Sequence, residues 1–195
     1  MALISTLTDD FNDNSIDAAK WTNTGGAQIV EANEELELTS KTTTQDILLY
    51  STNAYDLTGS GATIKIIDAG NQSLASYEFY FTITDWNAYL YWKIKAGTIY
   101  SISKNTAYVA ATHRYLRIRE ASGTTLYWDY SADGITWTNF DTYSPSSDVT
   151  LNAVQVYFQI KNTTEASTTT AKVDDFNILP SATITRRRII LTSIS

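Results

Sequence analysis

Cysteine is absent from this sequence, so no disulfide holds the fold and no thiolate does chemistry. A single histidine, His113, leaves little room for imidazole metal sites or catalytic triads. It precedes a strand-like run, where a polar residue at a hairpin end is expected. No apolar run approaches the about 20 residues of a membrane span. The opening MALISTLTDDF lacks the basic start, long apolar stretch and cleavage site of a signal peptide, so export by the general secretory route is not expected. Positive charge is scarce as well. The chain carries −7, and residues 181–195 hold three arginines and no acid, which leaves the body at −10. An acidic body argues against nucleic acid as a partner, because phosphate binding needs a basic surface.

What the sequence has is strand vocabulary: 13 tyrosines, many threonines, only two prolines and one methionine in 195 residues. The segments AQIVEA, ELELTS, DILLYS and ATIKIID alternate apolar and polar residues with period two. So do SYEFYFTIT, NAYLYWKIK, RYLRIRE, TTLYWDYS, LNAVQVYFQIK and the closing AKVDDFNIL. Gly, Asn, Asp, Ser and Thr fill the breaks. Only NSIDAAKW offers a helical turn. About a dozen closely spaced strands predict an all-β fold, a two-sheet antiparallel sandwich spanning residues 1–180, with 181–195 as a C-terminal tail. Alternation places Leu90, Trp92, Leu116, Ile118, Leu126, Trp128, Tyr130, Val156 and Phe158 in the core.

The stretch LYWDYSADGITWTNF (126–140) approaches the Asp-box of sialidases, Ser-x-Asp-x-Gly-x-Thr-Trp. It is one residue short between Asp133 and Gly134, and it occurs once. Asp-Gly is instead a hairpin signal, because glycine accepts positive φ at no steric cost. The expected structure is a turn at Ala132–Gly134, with the next strand starting at Ile135.

Four segments carry a family resemblance: DDFNDNSIDAAKWT, IVEANEELELTS, RYLRIREASGTTLYWDYSADGITWT and AKVDDFNIL, in that order. From about residue 9 to 179 the chain resembles the concanavalin A-like (laminin G-like) jelly-roll superfamily. The resemblance implies a jelly roll whose first and last strands lie side by side. The superfamily includes laminarinase-type glucanases, lectins, carbohydrate-binding modules and phage structural proteins. It also implies one structural calcium ion where those strands meet, held by Asp10, Asn33 and Asp175. Calcium takes hard oxygen ligands, which suits two carbonyls and a carboxylate. Solvated turn residues are the competing reading.

Glucanases of this superfamily carry Glu-x-Asp-x-x-Glu on one strand. Here YEFYFTI offers only Glu78, followed by Phe79 and Tyr80. NEELEL has Glu35 and Glu37 at i, i+2, read as solvent-facing acids on an edge strand. The missing carboxylate pair leads to the expectation that the chain is not an enzyme. Binding has more to build on. The residues alternating outward are Tyr89, Tyr91, Arg117, Arg119, Tyr127, Asp129, Gln155, Tyr157 and Gln159, and they form one sheet face if their strands pair. Aromatic rings beside planar polar groups suit a glycan or a protein partner. Plain cross-strand pairing is the alternative.

In the tail, Arg186, Arg187 and Arg188 precede the apolar Ile189, Ile190 and Leu191. This pattern suits docking onto another subunit by strand addition, in a homo-oligomer or larger assembly. Together these features point to a surface interaction or decoration module, on a virion or extracellular surface, of the kind found in phage particles. The alternative is a lectin-like carbohydrate-binding module, with a glycoside hydrolase third.

Overall fold

The computed structural model describes residues 1–40, 45–144, 149–163 and 167–180. The arginine and isoleucine positions 186–191 lie outside them. Among the described residues the chain forms fourteen strands. The first seven are β1 (Trp21–Asn23), β2 (Ile29–Ala32), β3 (Glu35–Ser40), β4 (Gln45–Ser51), β5 (Gly61–Asp68), β6 (Tyr77–Thr84) and β7 (Tyr89–Lys95). The remainder are β8 (Thr98–Tyr100), β9 (Asn105–Ala107), β10 (Tyr115–Ala121), β11 (Thr125–Ser131), β12 (Thr138–Tyr143), β13 (Gln155–Asn162) and β14 (Thr169–Asp174). They pair into two seven-stranded antiparallel sheets, ordered β1-β4-β13-β6-β7-β8-β9 and β12-β11-β10-β5-β14-β3-β2. The expected all-β jelly-roll sandwich is the fold observed. NSIDAAKW forms no helix; its place is a turn leading into β1.

Period-two alternation builds the core directly. Leu90, Trp92 and Ile94 from one sheet meet Leu116, Ile118, Leu126 and Trp128 from the other, all buried. Tyr130 is half-buried at the rim of this cluster. A buried indole must place its N–H on an acceptor. Two tryptophans do so across the sandwich: Trp92 of β7 donates to the Arg117 carbonyl of β10 at 3.1 Å, and Trp128 of β11 donates to the Tyr91 carbonyl of β7 at 2.9 Å. These bonds fasten sheet to sheet at the centre of the molecule.

The first and last segments close the sandwich. Asp9 and Phe176 exchange backbone hydrogen bonds at 3.0 and 2.7 Å. The Asp9 carboxylate is nearly buried and accepts the Trp21 indole N–H at 2.7 Å. Phe11, Trp21, Phe158 and Phe176 then pack ring against ring with centroids 5.3–6.5 Å apart. The spacing Asp-Asp-Phe…Trp is therefore a latch between chain ends.

The SADGITW turn runs Ala132–Trp137, and β12 starts at Thr138 rather than Ile135. Asp133 explains the delay. Its carboxylate accepts the backbone N–H groups of Ile135 (2.9 Å) and Thr136 (2.7 Å), forming a side-chain turn that delays pairing. These donors pull the Asp133 carboxyl down to about 2.

Candidate functional site

The outer face of the first sheet is set by strand register. Tyr157 of β13 lies between Tyr50 of β4 and Thr82 of β6, and Thr82 faces Tyr91 of β7. Two residues along, Gln159 lies between Leu48 and Tyr80. Two further along, Lys161 lies between Asp46 and Glu78, and Glu78 faces Lys95. The face thus grades from an aromatic end to a row of alternating charge. A cleft of about 610 Å³ opens on it, walled by Trp86, Tyr89, Tyr91 and Tyr157 toward one end and by Asp46, Gln159 and Lys161 toward the other. Tyr89 and Tyr91 also wall a second hollow of about 330 Å³ beside Ile102 and Tyr143.

Trp86 is the residue that the sequence pattern concealed, because it sits in the β6–β7 turn and belongs to no alternating run. Its backbone takes φ 69°, and its side chain is 46% exposed. The surrounding turn over-determines it. Thr84 Oγ1 accepts the Trp86 N–H at 2.7 Å and donates to the Ala88 carbonyl at 2.7 Å. The Asp85 carboxylate accepts the N–H groups of Asn87, Ala88 and Thr150 at 2.8–3.0 Å. The Trp86 indole stacks on Tyr157 (6.2 Å, 18°), meets Tyr50 edge-on (5.9 Å), and donates Nε1–H to Gln155 at 2.5 Å. The ring is therefore a fixed wall of the cleft. A tryptophan within Thr-Asp-Trp-Asn, at the junction of two strong strands, is the one signal that could have marked it.

At the other end, Gln159 donates to Asp46, and Lys161 stands 3.9 Å from the same carboxylate. Glu78 accepts from Lys95 Nζ at 2.6 Å and from the Tyr80 hydroxyl at 2.5 Å. Burial alone would raise the Glu78 carboxyl, but these two donors outweigh it and hold it below its usual range. Tyr80 is pushed up, first by burial and then by the charged Glu78 it serves.

The nine outward residues do not share one face. Tyr89, Tyr91, Gln155, Tyr157 and Gln159 lie on this sheet. Arg117, Arg119, Tyr127 and Asp129 lie on the other, because β10 pairs with β11 and β5 rather than with β7. Alternation sorts the faces of one strand; it does not say which sheet that strand joins. The second group forms a closed cluster. Asp129 is 2% exposed and accepts from Arg117 at 2.8 Å, Arg119 at 2.7 Å and Asn139 at 3.1 Å. Arg117 then covers the Trp137 ring and Arg119 the Tyr127 ring, each at 4.1 Å.

Glu35 and Glu37 are one strand in from the sheet edge, since β2 flanks β3. Both bind Lys172, at 3.2 and 2.7 Å, and the hydrogen bond from Lys172 lowers the Glu37 carboxyl. His113 is buried rather than at a solvated hairpin end. It stacks on Tyr108 and accepts the Val109 N–H through Nδ1 at 3.0 Å.

The ligands implied for calcium are the carbonyls of Asp10 and Asn33 and the carboxylate of Asp175, and that carboxylate is already committed. Asn12 donates to Asp10 at 2.6 Å, and the Asn33 amide approaches Glu37 at 3.4 Å. The Asp175 carboxylate accepts from Lys65 Nζ at 2.9 Å. Among the described residues no group of three or more acidic or histidine side chains is arranged to hold a metal. With an ammonium against the one carboxylate that would reach it, the arrangement does not fit a calcium ion.

No family model matches the sequence, and no curated protein matches it. Solved structures do match in shape. A laminarinase from Flavobacterium sp. UMI-01 superposes with TM-score 0.66 at 8% identity, over 87% of this chain and 96% of that one. A pseudo β-1,3-glucanase of Mycobacterium tuberculosis gives 0.61 at 10% identity, over 87% and 95%. A legume lectin-like domain from Entamoeba histolytica gives 0.56 at 11% identity, over 80% and 88%. The expectation that the chain is not an enzyme is corrected here. A fold shared with a laminarinase, and with the O-glycanases of human gut bacteria, gives no ground for excluding catalysis from one missing motif. The two antiparallel sheets and these likenesses show a two-sheet antiparallel jelly-roll sandwich fold, similar to that of these glucanase-like and lectin-like structures.

Proposed function

We propose that this jelly roll binds a saccharide in the cleft of its first sheet. The observation that carries the proposal is Trp86. A bulky residue at positive φ costs on the order of 1 kcal/mol, and a half-exposed indole gives up burial as well. Three side chains, Tyr50, Gln155 and Tyr157, nonetheless hold the ring in place over the cleft. A pyranose offers apolar C–H faces to such rings and hydroxyls to Asp46 and Gln159. The cleft volume suits a ligand of a few sugar units. Its two charges, Asp46 and Lys161, offset one another, which favours an uncharged saccharide. Glycan-array screening followed by calorimetry tests the reading. Neutral oligosaccharides should bind, with little dependence on salt. Binding confined to sulfated or uronic glycans, or no binding at all, would overturn it.

A hydrolytic reading has its own support. The fold is that of a laminarinase, and Glu78 and Asp46 flank Lys161 in one cross-strand row. Glu78, held ionised, suits the base role. Reducing-end release from β-glucans, abolished by Glu78→Gln, would establish it; no release from any bound glycan would end it.

The sequence also supports a surface role in an assembly such as a virion exterior. The support is the basic, apolar tail against a body of charge −10. Deleting residues 181–195 should leave a folded sandwich that no longer associates in size-exclusion chromatography. An unfolded truncation would place the tail in the core instead.

A further inference from the structure

Three parts of the chain converge where β14 ends. The bridge between Asp9 and Phe176 sets Asp10 across from Asp175. The β3–β14 register, ending at Leu36 against Val173, carries the Asn33–Glu34 turn to the other flank. Asp175 itself has left the strand, with φ 51°. Lys65, one strand over on β5, fills this junction. Its Nζ lies 2.7 Å from Asp174 Oδ2 and 2.9 Å from Asp175 Oδ2, and its side chain is only 17% exposed.

We infer that Lys65 is the resident cation of this junction, an ammonium that balances the acids where the resemblance places a calcium ion. The two solutions exclude each other. Calcium needs six to eight oxygens at 2.3–2.6 Å, and a dication on Asp175 would meet the ammonium at close range. The lysine also supplies hydrogen bonds that a bare ion cannot, one to each carboxylate. A covalently tethered cation is present at any ion concentration, so the closure of the sandwich is set free of the calcium level around it. The same geometry defines a latent site: with the ammonium gone, the Asp174 and Asp175 carboxylates would lose the cation they share.

Thermal unfolding of the full chain, with EDTA and with millimolar calcium chloride, tests this. Wild type should melt at the same temperature in both, and calcium titration calorimetry should show no saturable heat. A rise of more than about 2 °C with calcium, or micromolar binding, would overturn the inference. Lys65→Met should melt lower in EDTA and recover at least part of the loss in calcium. A folded Lys65→Met that calcium does not stabilise would also overturn it, because the acids would then be unable to exchange one cation for the other. Should Lys65→Met not fold, Asp175→Asn decides. Its loss of stability should be equal with and without calcium, whereas a loss seen only in calcium would mean that an ion, not Lys65, is the partner.

Discussion

The two outer faces of this sandwich are built from the same materials and end in opposite states. Both present rings, long cations and a carboxylate on adjacent strands. On the second sheet the carboxylate stands at the centre. Asp129 gathers Arg117 and Arg119, and each guanidinium then lies flat over a ring, so the π-faces of Trp137 and Tyr127 are already used. On the first sheet the acids stand at one end, in the row Asp46–Lys161–Glu78–Lys95. Lys161 and Lys95 are held in that row, Lys93 lies over the Tyr100 ring at 4.5 Å, and the aromatic end stays uncovered: Trp86 and Tyr89 are each 46% exposed. Composition alone therefore does not make a binding face. The position of one carboxylate decides whether the rings are covered by the protein's own arginines or left open.

The largest expected effect tests the closed face. Asp129→Ala leaves two guanidiniums without their acceptor beside a buried gap. The cost should be about 2–3 kcal/mol, reduced from the full buried-pair value because Arg117 and Arg119 remain part-exposed. Denaturant titration measures it, and saccharide binding should be unchanged. The open face should respond in the reverse sense. Trp86→Gly removes the ring and the strain at φ 69° together, so stability should move by less than about 1 kcal/mol. Affinity for a cleft-bound saccharide should fall about tenfold or more, a loss of about 1.4 kcal/mol. If Asp129→Ala abolishes binding while Trp86→Gly spares it, the contrast between the faces is reversed.

Alternation along strands such as NAYLYWKIK and RYLRIRE made the core legible, because period two alone decides which side chains turn inward. The pairing of strands was not legible. Which of β6, β10 or β13 lies beside β7 depends on long-range closure, and the nine expected binding residues were divided between sheets for that reason. Five of them do border or line the cleft. Trp86 was invisible, since a turn residue at positive φ carries no periodic signal. Asp175 was placed at the right junction by resemblance, but its partner Lys65 lies 110 residues away in sequence and no local pattern links them.

Acid should act on the body before the cleft. Burial lowers the pKa of His113 from its ordinary 6.5. The unfolded chain therefore takes up this proton first as pH falls. Its contribution to stability is complete above pH 6.5 and is lost as pH drops from there toward the native value. The acids Glu78 and Asp85 are both lowered, so they stay ionised throughout this range and lose their contribution only below about pH 4. Melting temperature should thus decline between pH 7 and 5, while saccharide affinity stays flat. His113→Asn, which keeps an acceptor for the Val109 N–H, should remove the decline. A decline that persists in the variant would assign it to other groups.

The smallest effect concerns a turn remote from both faces' centres. Asn33 and Glu34 join β2 to β3 with φ 57° and 62°, the two left-handed residues of a tight hairpin. Asparagine tolerates this conformation, and glycine is favoured at the second position. Glu34 meets the requirement at a steric cost of about 1 kcal/mol. Glu34→Gly should relieve that strain, offset in part by the greater freedom glycine gives the unfolded chain. A net gain of up to about 1 kcal/mol is expected, with no change in saccharide affinity. A loss of stability would mean that the Glu34 side chain contributes more at the β14 junction than its backbone gives up, and a change in affinity would show that the two sheets are coupled through the junction that Lys65 closes.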